Sequence, residues 1–109
     1  MNKSRIVART MLIASLLFAT NALSDTSGGK FDAKQEFEKH CAVCHPDGQN
    51  TINADKPLSK KSMAARGIKS AKDIVAKLRN PGPGMPRFDE KAIPDKEAKE
   101  IAEYILKTF

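Results

Sequence analysis

Residues 41–45 read Cys41-Ala42-Val43-Cys44-His45, and this stretch decides how the rest of the chain is understood. Just upstream, Asp32 stands where a helix cap belongs, with Gln35 three residues on as its capping-box partner. The spacing predicts a helix from about Ala33 to Cys44. Ala33, Phe37, Cys41 and Cys44 then fall on one face, four, four and three residues apart. Pro46-Asp47-Gly48 ends that helix.

Two cysteines at i and i+3 near a helix end point the same way, and a histidine follows at once. Such thiols can form thioether bonds to the two vinyl groups along one edge of a haem, and His45 can reach the iron from the proximal side. C-x-x-C-H is the pattern of c-type haem attachment. Three other chemistries use the same pair. A Cys41–Cys44 disulfide suits an oxidising compartment. A thioredoxin-type dithiol expects a strand before the first cysteine, and none is predicted there. A zinc site expects separated ligand pairs, whereas His40, Cys41, Cys44 and His45 crowd into six residues.

The start of the chain bears on that choice. Lys3, Arg5 and Arg9 precede an apolar run, Met11 to Ala19, and then small residues. This is the pattern of a secretory signal peptide over residues 1–24, cut after Ser24 or Ala22. The apolar run is too short for a bilayer, which takes roughly 20 residues. Export places the cysteines where haem is attached. Residues 25–30 read as a flexible mature N-terminus, and residues 31–109 as one domain.

The whole chain of 109 residues has a formal charge of +6; taken from Asp25 it keeps 16 basic and 13 acidic side chains, or +3. Much of the basic excess therefore belongs to the leader, which argues against a nucleic-acid partner. The mature part has no Trp and one Tyr, and between Pro46 and Lys69 only Ile52, Leu58, Met63 and Ile68 are large and apolar. So small a chain is marginal on its own core. A stretch that poor should be disordered or wrapped around something else, and a buried cofactor would supply what is missing.

Further along, a short helix around Ser59–Ala65, stopped by Gly67, and a helix over Ala71–Arg79 with a Ser70/Asp73 capping box are expected. The last helix should start near Pro94-Asp95 and run to about Lys107, with Ala98, Ile101, Ala102, Tyr104 and Ile105 on its inner side. Between them, Pro81-Gly82-Pro83-Gly84-Met85-Pro86 permits no regular element. Its glycines let the backbone approach a flat ring. A thioether is a soft, neutral ligand that, opposite histidine, raises the potential of haem iron. Met85 is the expected axial ligand; Met63, in a polar basic run, is the rival, with a packing or surface role. His40 reads as a solvent-facing helix residue. Lys60-Lys61 and Lys69 with Lys72 keep the surface soluble or steer an acidic partner.

Taken in order, Cys41 to His45, Pro57-Leu58, Met85-Pro86 in a Pro/Gly loop and a final helix with Ile101 and Tyr104 resemble the class I c-type cytochromes, nearest the small c6, c551 and c553 kinds. The resemblance covers about Phe31 to Lys107. It implies an all-α cytochrome c fold of three to five short helices around one covalently bound haem c. It also implies iron held by His45 and Met85, and a Pro57 carbonyl that accepts the His45 ring N–H. The first and last helices should cross through Ala33, Phe37, Ile101 and Tyr104. The family's tryptophan partner for a haem propionate is missing, which leaves Gln49, Asn53 and Arg79 as substitutes. The function implied is single-electron carriage between redox proteins outside the cytoplasm, in the periplasm. The protein should be a soluble monomer, with transient redox partners and no catalytic residues. A haem-based gas sensor or weak peroxidase is the alternative if Met85 is labile, and a CxxC redox-thiol protein if no haem is bound.

Overall fold

The computed structural model describes residues 29–109. The expected leader and all but the end of the flexible mature N-terminus lie outside the described residues. The chain forms four α-helices: α1 (Ala33–His40), α2 (Lys60–Ala65), α3 (Ala71–Arg79) and α4 (Asp95–Thr108), with a 3-10 turn at Pro46–Gly48. No strand occurs among the described residues. The all-α expectation holds.

Three of the helices begin at a side-chain cap, and α4 begins after Pro94 without one. The Asp32 carboxylate accepts from the Lys34 and Gln35 amides at 3.0 and 3.2 Å. Ser59 caps α2, accepting from Ser62 N–H. Ser70 and Asp73 form the full reciprocal box on α3. There Asp73 accepts from the amides of Lys69 and Ser70, both at 2.9 Å, and from the Ser70 hydroxyl at 2.8 Å. Those bonds, the Lys69 amide first, hold the Asp73 carboxyl below its ordinary value near 3.8. A carboxyl lowered in the folded state contributes stability that is present above its unfolded value and is lost as the pH falls through the folded one. Asp73→Asn is therefore expected to lower the urea midpoint at pH 7, with the gap to wild type closing below about pH 4.

α1 is shorter than its sequence periodicity predicts. It stops at His40, and Cys41 to Cys44 form a turn. Ala42 N–H reaches back five residues to Phe37 O, and Cys44 N–H only three, to Cys41 O. The backbone thus loosens and then tightens, so the two thiols leave a turn and not a helix face.

α4 packs against both α1 and α3. Ala98 and Ala102 are fully buried and admit the neighbouring helices closely. Phe37, Met63, Ile74, Leu78, Ile93, Ile101 and Ile105 complete the core. Phe37 meets Tyr104 at 5.6 Å and Phe109 at 5.4 Å between ring centroids, so the α1–α4 contact runs through the expected Phe37 and Tyr104 plus an aromatic not anticipated.

The apolar-poor stretch after His45 is not loose. Asn50 organises it: its Oδ1 accepts from the Ile52 and Asn53 amides, and its Nδ2 donates to Lys56 O. Asn53 Oδ1 then accepts from the Asp55 amide. Hydrogen bonds to backbone fix this loop in place of a hydrophobic core of its own.

Candidate haem cleft

One cleft of about 450 Å³ is lined by Cys41, Cys44, His45 and Met85 together. That volume is within the roughly 300–1,000 Å³ range of small-molecule and cofactor sites. Leu58, Met63, Ile68, Ile74, Leu78, Phe88 and Ile105 give the walls their apolar character, and Pro81 to Pro86 form one rim. Val43 and Ile52, also on the lining, are 81% and 64% exposed and are the large apolar side chains left open to water among the described residues. A flat apolar group in the cleft would give these surfaces a partner.

The sequence around each functional side chain explains its place. The turn after α1 delivers both thiols to the cleft. Cys41 is buried, Cys44 half-buried, and both are free. Burial, with a smaller contribution from the Glu36 carboxylate, pushes the Cys41 thiol up to about 11. Dithiol exchange needs a readily formed thiolate, which a lowered value provides. Cys41 has the opposite setting, and the redox-thiol alternative loses support. No group of three or more His, Cys, Asp or Glu suited to a metal ion occurs among the described residues.

His45 Nδ1 lies 2.8 Å from the carbonyl oxygen of Gln49. A carbonyl can only accept, so Nδ1 is the donor, and Nε2 is the nitrogen left to bind a metal. The expected acceptor was Pro57, and the structure differs. Arg66 donates to Pro57 O at 2.7 Å. The 3-10 turn folds the chain back within four residues of His45, which puts the nearer carbonyl against the ring. Pro57 itself is not on the cleft lining.

Met63 is 2% exposed and packs in the core, although it reaches the cleft wall. Met85 is half-buried in the loop, next to Gly84. Gly84 has φ +90, and a Cβ there would come within 2.9 Å of Ile52 Cγ2, so loop and opposite rim meet at that glycine. His40 is exposed, pairs with Glu36 at 3.1 Å and touches the cleft edge.

Of the three suggested propionate partners, Asn53 lines the cleft while Gln49 and Arg79 do not. Arg79 is spent elsewhere, donating to Phe88 O, Ile93 O and Asp95. Sequence reasoning missed the cations that do line the cleft, Lys56, Arg66 and Lys77; no carboxylate lines it. The signal was present in the charge distribution: residues 56–87 carry nine basic side chains and a single acid, Asp73.

Two thiols, an imidazole, a thioether, apolar walls and three cations share one cleft, and this set suits a haem c. Residues 32–105 match the family described as cytochrome c oxidase, cbb3-type, subunit III. The chain is 37% identical over 73 residues to cytochrome c6 of Synechocystis sp., an alignment spanning 67% of this chain and 60% of that one. With cytochrome c6 of Leptolyngbya boryana it shares 34% identity, over 73% of this chain and 87% of the relative. The solved structure of OmcF, outer membrane cytochrome F from Geobacter sulfurreducens, superposes with a TM-score of 0.70 at 44% identity, covering 72% of this chain and 99% of that one. The chain belongs to the class I c-type cytochromes, whose members carry one covalently bound haem c. It spans about three fifths of the length of the first curated relatives it matches.

Proposed function

We propose that this chain is an exported single-electron carrier with one haem c, attached through Cys41 and Cys44 and ligated by His45 and Met85. The observation that carries this reading is the cleft that joins these four side chains within apolar walls. The haem, when bound, supplies a reversible one-electron iron couple. The chain's own residues do the rest. Gln49 O holds the His45 imidazole in the tautomer a metal needs. The apolar walls keep water from the iron and favour its less charged, reduced form. Lys56, Arg66 and Lys77 are the residues to meet the propionates. Arg66 is the best organised of them, since Pro57 O and Ser62 O already hold its guanidinium.

With His45 and Met85 on the two axial positions, no coordination site remains for a substrate. The protein is then a carrier and not an enzyme. Its partners are redox proteins met briefly, to which the cleft lining offers exposed Val43 and Ile52 and the cations Lys56, Arg66 and Lys77. Such an interface favours an acidic partner and weakens with salt. No helix among the described residues is long and apolar enough to cross a membrane. The signal-peptide pattern of residues 1–24 supports a periplasmic location.

The test is an absorption spectrum of protein matured in a cytochrome-producing periplasm. A sharp reduced α-band of c-type haem, and a weak far-red band when oxidised, are expected. A haem spectrum without the far-red band would remove Met85 from the iron. No haem at all would return the cysteines to thiol chemistry.

A further inference from the structure

The turn that follows the haem motif is held from an unexpected direction. Asp47 and Gly48 both take left-handed backbone, with φ +51 and +75. Gly48 is buried, and its α-carbon lies beneath the ring of Phe109. A Cβ on Gly48 would stand 2.5 Å from Phe109 Cδ1 and 2.7 Å from Cγ. No larger residue fits unless the ring moves. The Gly48 peptide is fixed on both sides as well: its N–H donates to His45 O at 3.1 Å, and its carbonyl accepts from Leu58 N–H at 2.7 Å. Gln49 comes next, its N–H donating to Pro46 O at 2.9 Å. The Gln49 carbonyl is the one that takes His45 Nδ1. Phe109 in turn is seated firmly. It stacks at 5.4 Å from Phe37 and 6.3 Å from Tyr104, its N–H donates to Ile105 O, and its carbonyl accepts from Lys60 N–H.

We infer that Phe109 is a positioning residue for His45: by clamping Gly48 it fixes the Gln49 carbonyl, and that carbonyl fixes the imidazole. The inference rests on the reading of His45 as the haem ligand. Phe109 is not on the cleft lining, and the turn is its direct route to His45; its other neighbour, Phe37, reaches the cleft from α1. The chain of links runs from the Phe109 ring, which fills the space a Gly48 side chain would need, through the Gly48–Gln49 backbone to the 2.8 Å contact of Gln49 O with Nδ1. An aromatic ring above a glycine in left-handed backbone is a rigid stop, because neither side can yield without losing close packing.

Hydrogen exchange on the reduced, haem-loaded, 15N-labelled full chain tests this. The spectrum and the mass of the attached haem are measured first, so failure of the haem reading is seen before any exchange is recorded. In Phe109→Ala, the His45 Nδ1 proton and the Gly48 and Gln49 amides are expected to exchange roughly tenfold faster than can be explained by the change at Ile101. Ile101, in the core of α4, reports global opening. Phe109→Leu keeps an apolar group over Gly48 and is expected to show the same ranking at smaller size. It also serves if the alanine variant folds poorly. Equal acceleration at His45, Gly48, Gln49 and Ile101 would overturn the inference and leave Phe109 a general stabiliser. So would a His45 ring proton that exchanges at the wild-type rate in both variants.

Discussion

Replacing Met85 by leucine is expected to leave covalent haem in place and to abolish the far-red band of the oxidised protein. The reduced form should then bind carbon monoxide promptly. Leucine nearly matches methionine in volume, and such swaps usually cost under about 1.5 kcal/mol. Met85 is half-buried in a loop, so folding should survive. What changes is the donor. Methionine sulfur favours ferrous iron, and axial ligands move haem potentials across about 0.8 V in all. A fall on the order of a few tenths of a volt is expected by potentiometry. Met63→Leu is the control. It reaches the same cleft from the core, and it should change neither the band nor the potential by a comparable amount. If Met63→Leu removed the band and Met85→Leu kept it, the ligand assignment would be reversed.

The contrast between these two methionines shows what a sequence can carry. The loop position of Met85 on the cleft is legible because prolines and glycines around it forbid regular structure. Met63 sits among Lys60, Lys61 and Arg66, yet it is the more buried of the two. A six-residue helix needs just one inward residue, and no periodicity can be read from one turn. Helices α3 and α4 were plain, since the capping box of α3 and the Pro94-Asp95 start of α4 agree with their apolar faces. The end of α1 was not, because the departure from helix at Cys41 is made by backbone bonds of unequal reach that no side chain announces. The same applies to His45. Its residue type and place beside Cys44 predict a ligand, but the choice of Gln49 over Pro57 as acceptor follows from how tightly the 3-10 turn closes. Phe109 was legible only as a hydrophobic residue, because its partner Gly48 lies 61 positions away.

Loss of Arg79 should cost much folding energy, although its side chain is not on the cleft lining. On sequence it looked like a partner for a propionate. In the structure its side chain is 18% exposed and spans the base of the loop that carries Met85. Nη1 donates to Phe88 O at 3.0 Å, and Nη2 to Ile93 O at 2.9 Å and to Asp95 Oδ1 at 2.6 Å. Its own carbonyl accepts from Arg87 Nε at 3.0 Å, and Phe88 N–H bonds Leu78 O at 2.9 Å. One guanidinium thus ties the end of α3 to both halves of the 86–95 segment and to the first turn of α4. Asp95 is mostly exposed, so that ion pair contributes little. The backbone acceptors matter more, because removing their donor leaves partly buried carbonyls unpaired at about 1–3 kcal/mol each. Arg79→Ala is expected to destabilise the haem-loaded protein by about 2–4 kcal/mol, read as a lower urea midpoint. Lysine would keep the charge but cannot span three acceptors with a planar fork, so Arg79→Lys should recover less than half of the loss. The consequence for the site is indirect but specific. With its base untied, the Pro81–Pro86 loop should release Met85 more readily, and carbon monoxide should bind the reduced Arg79→Ala protein faster than wild type. Were stability lost with no change in that rate, Arg79 would hold the helices together without governing the loop that bears Met85.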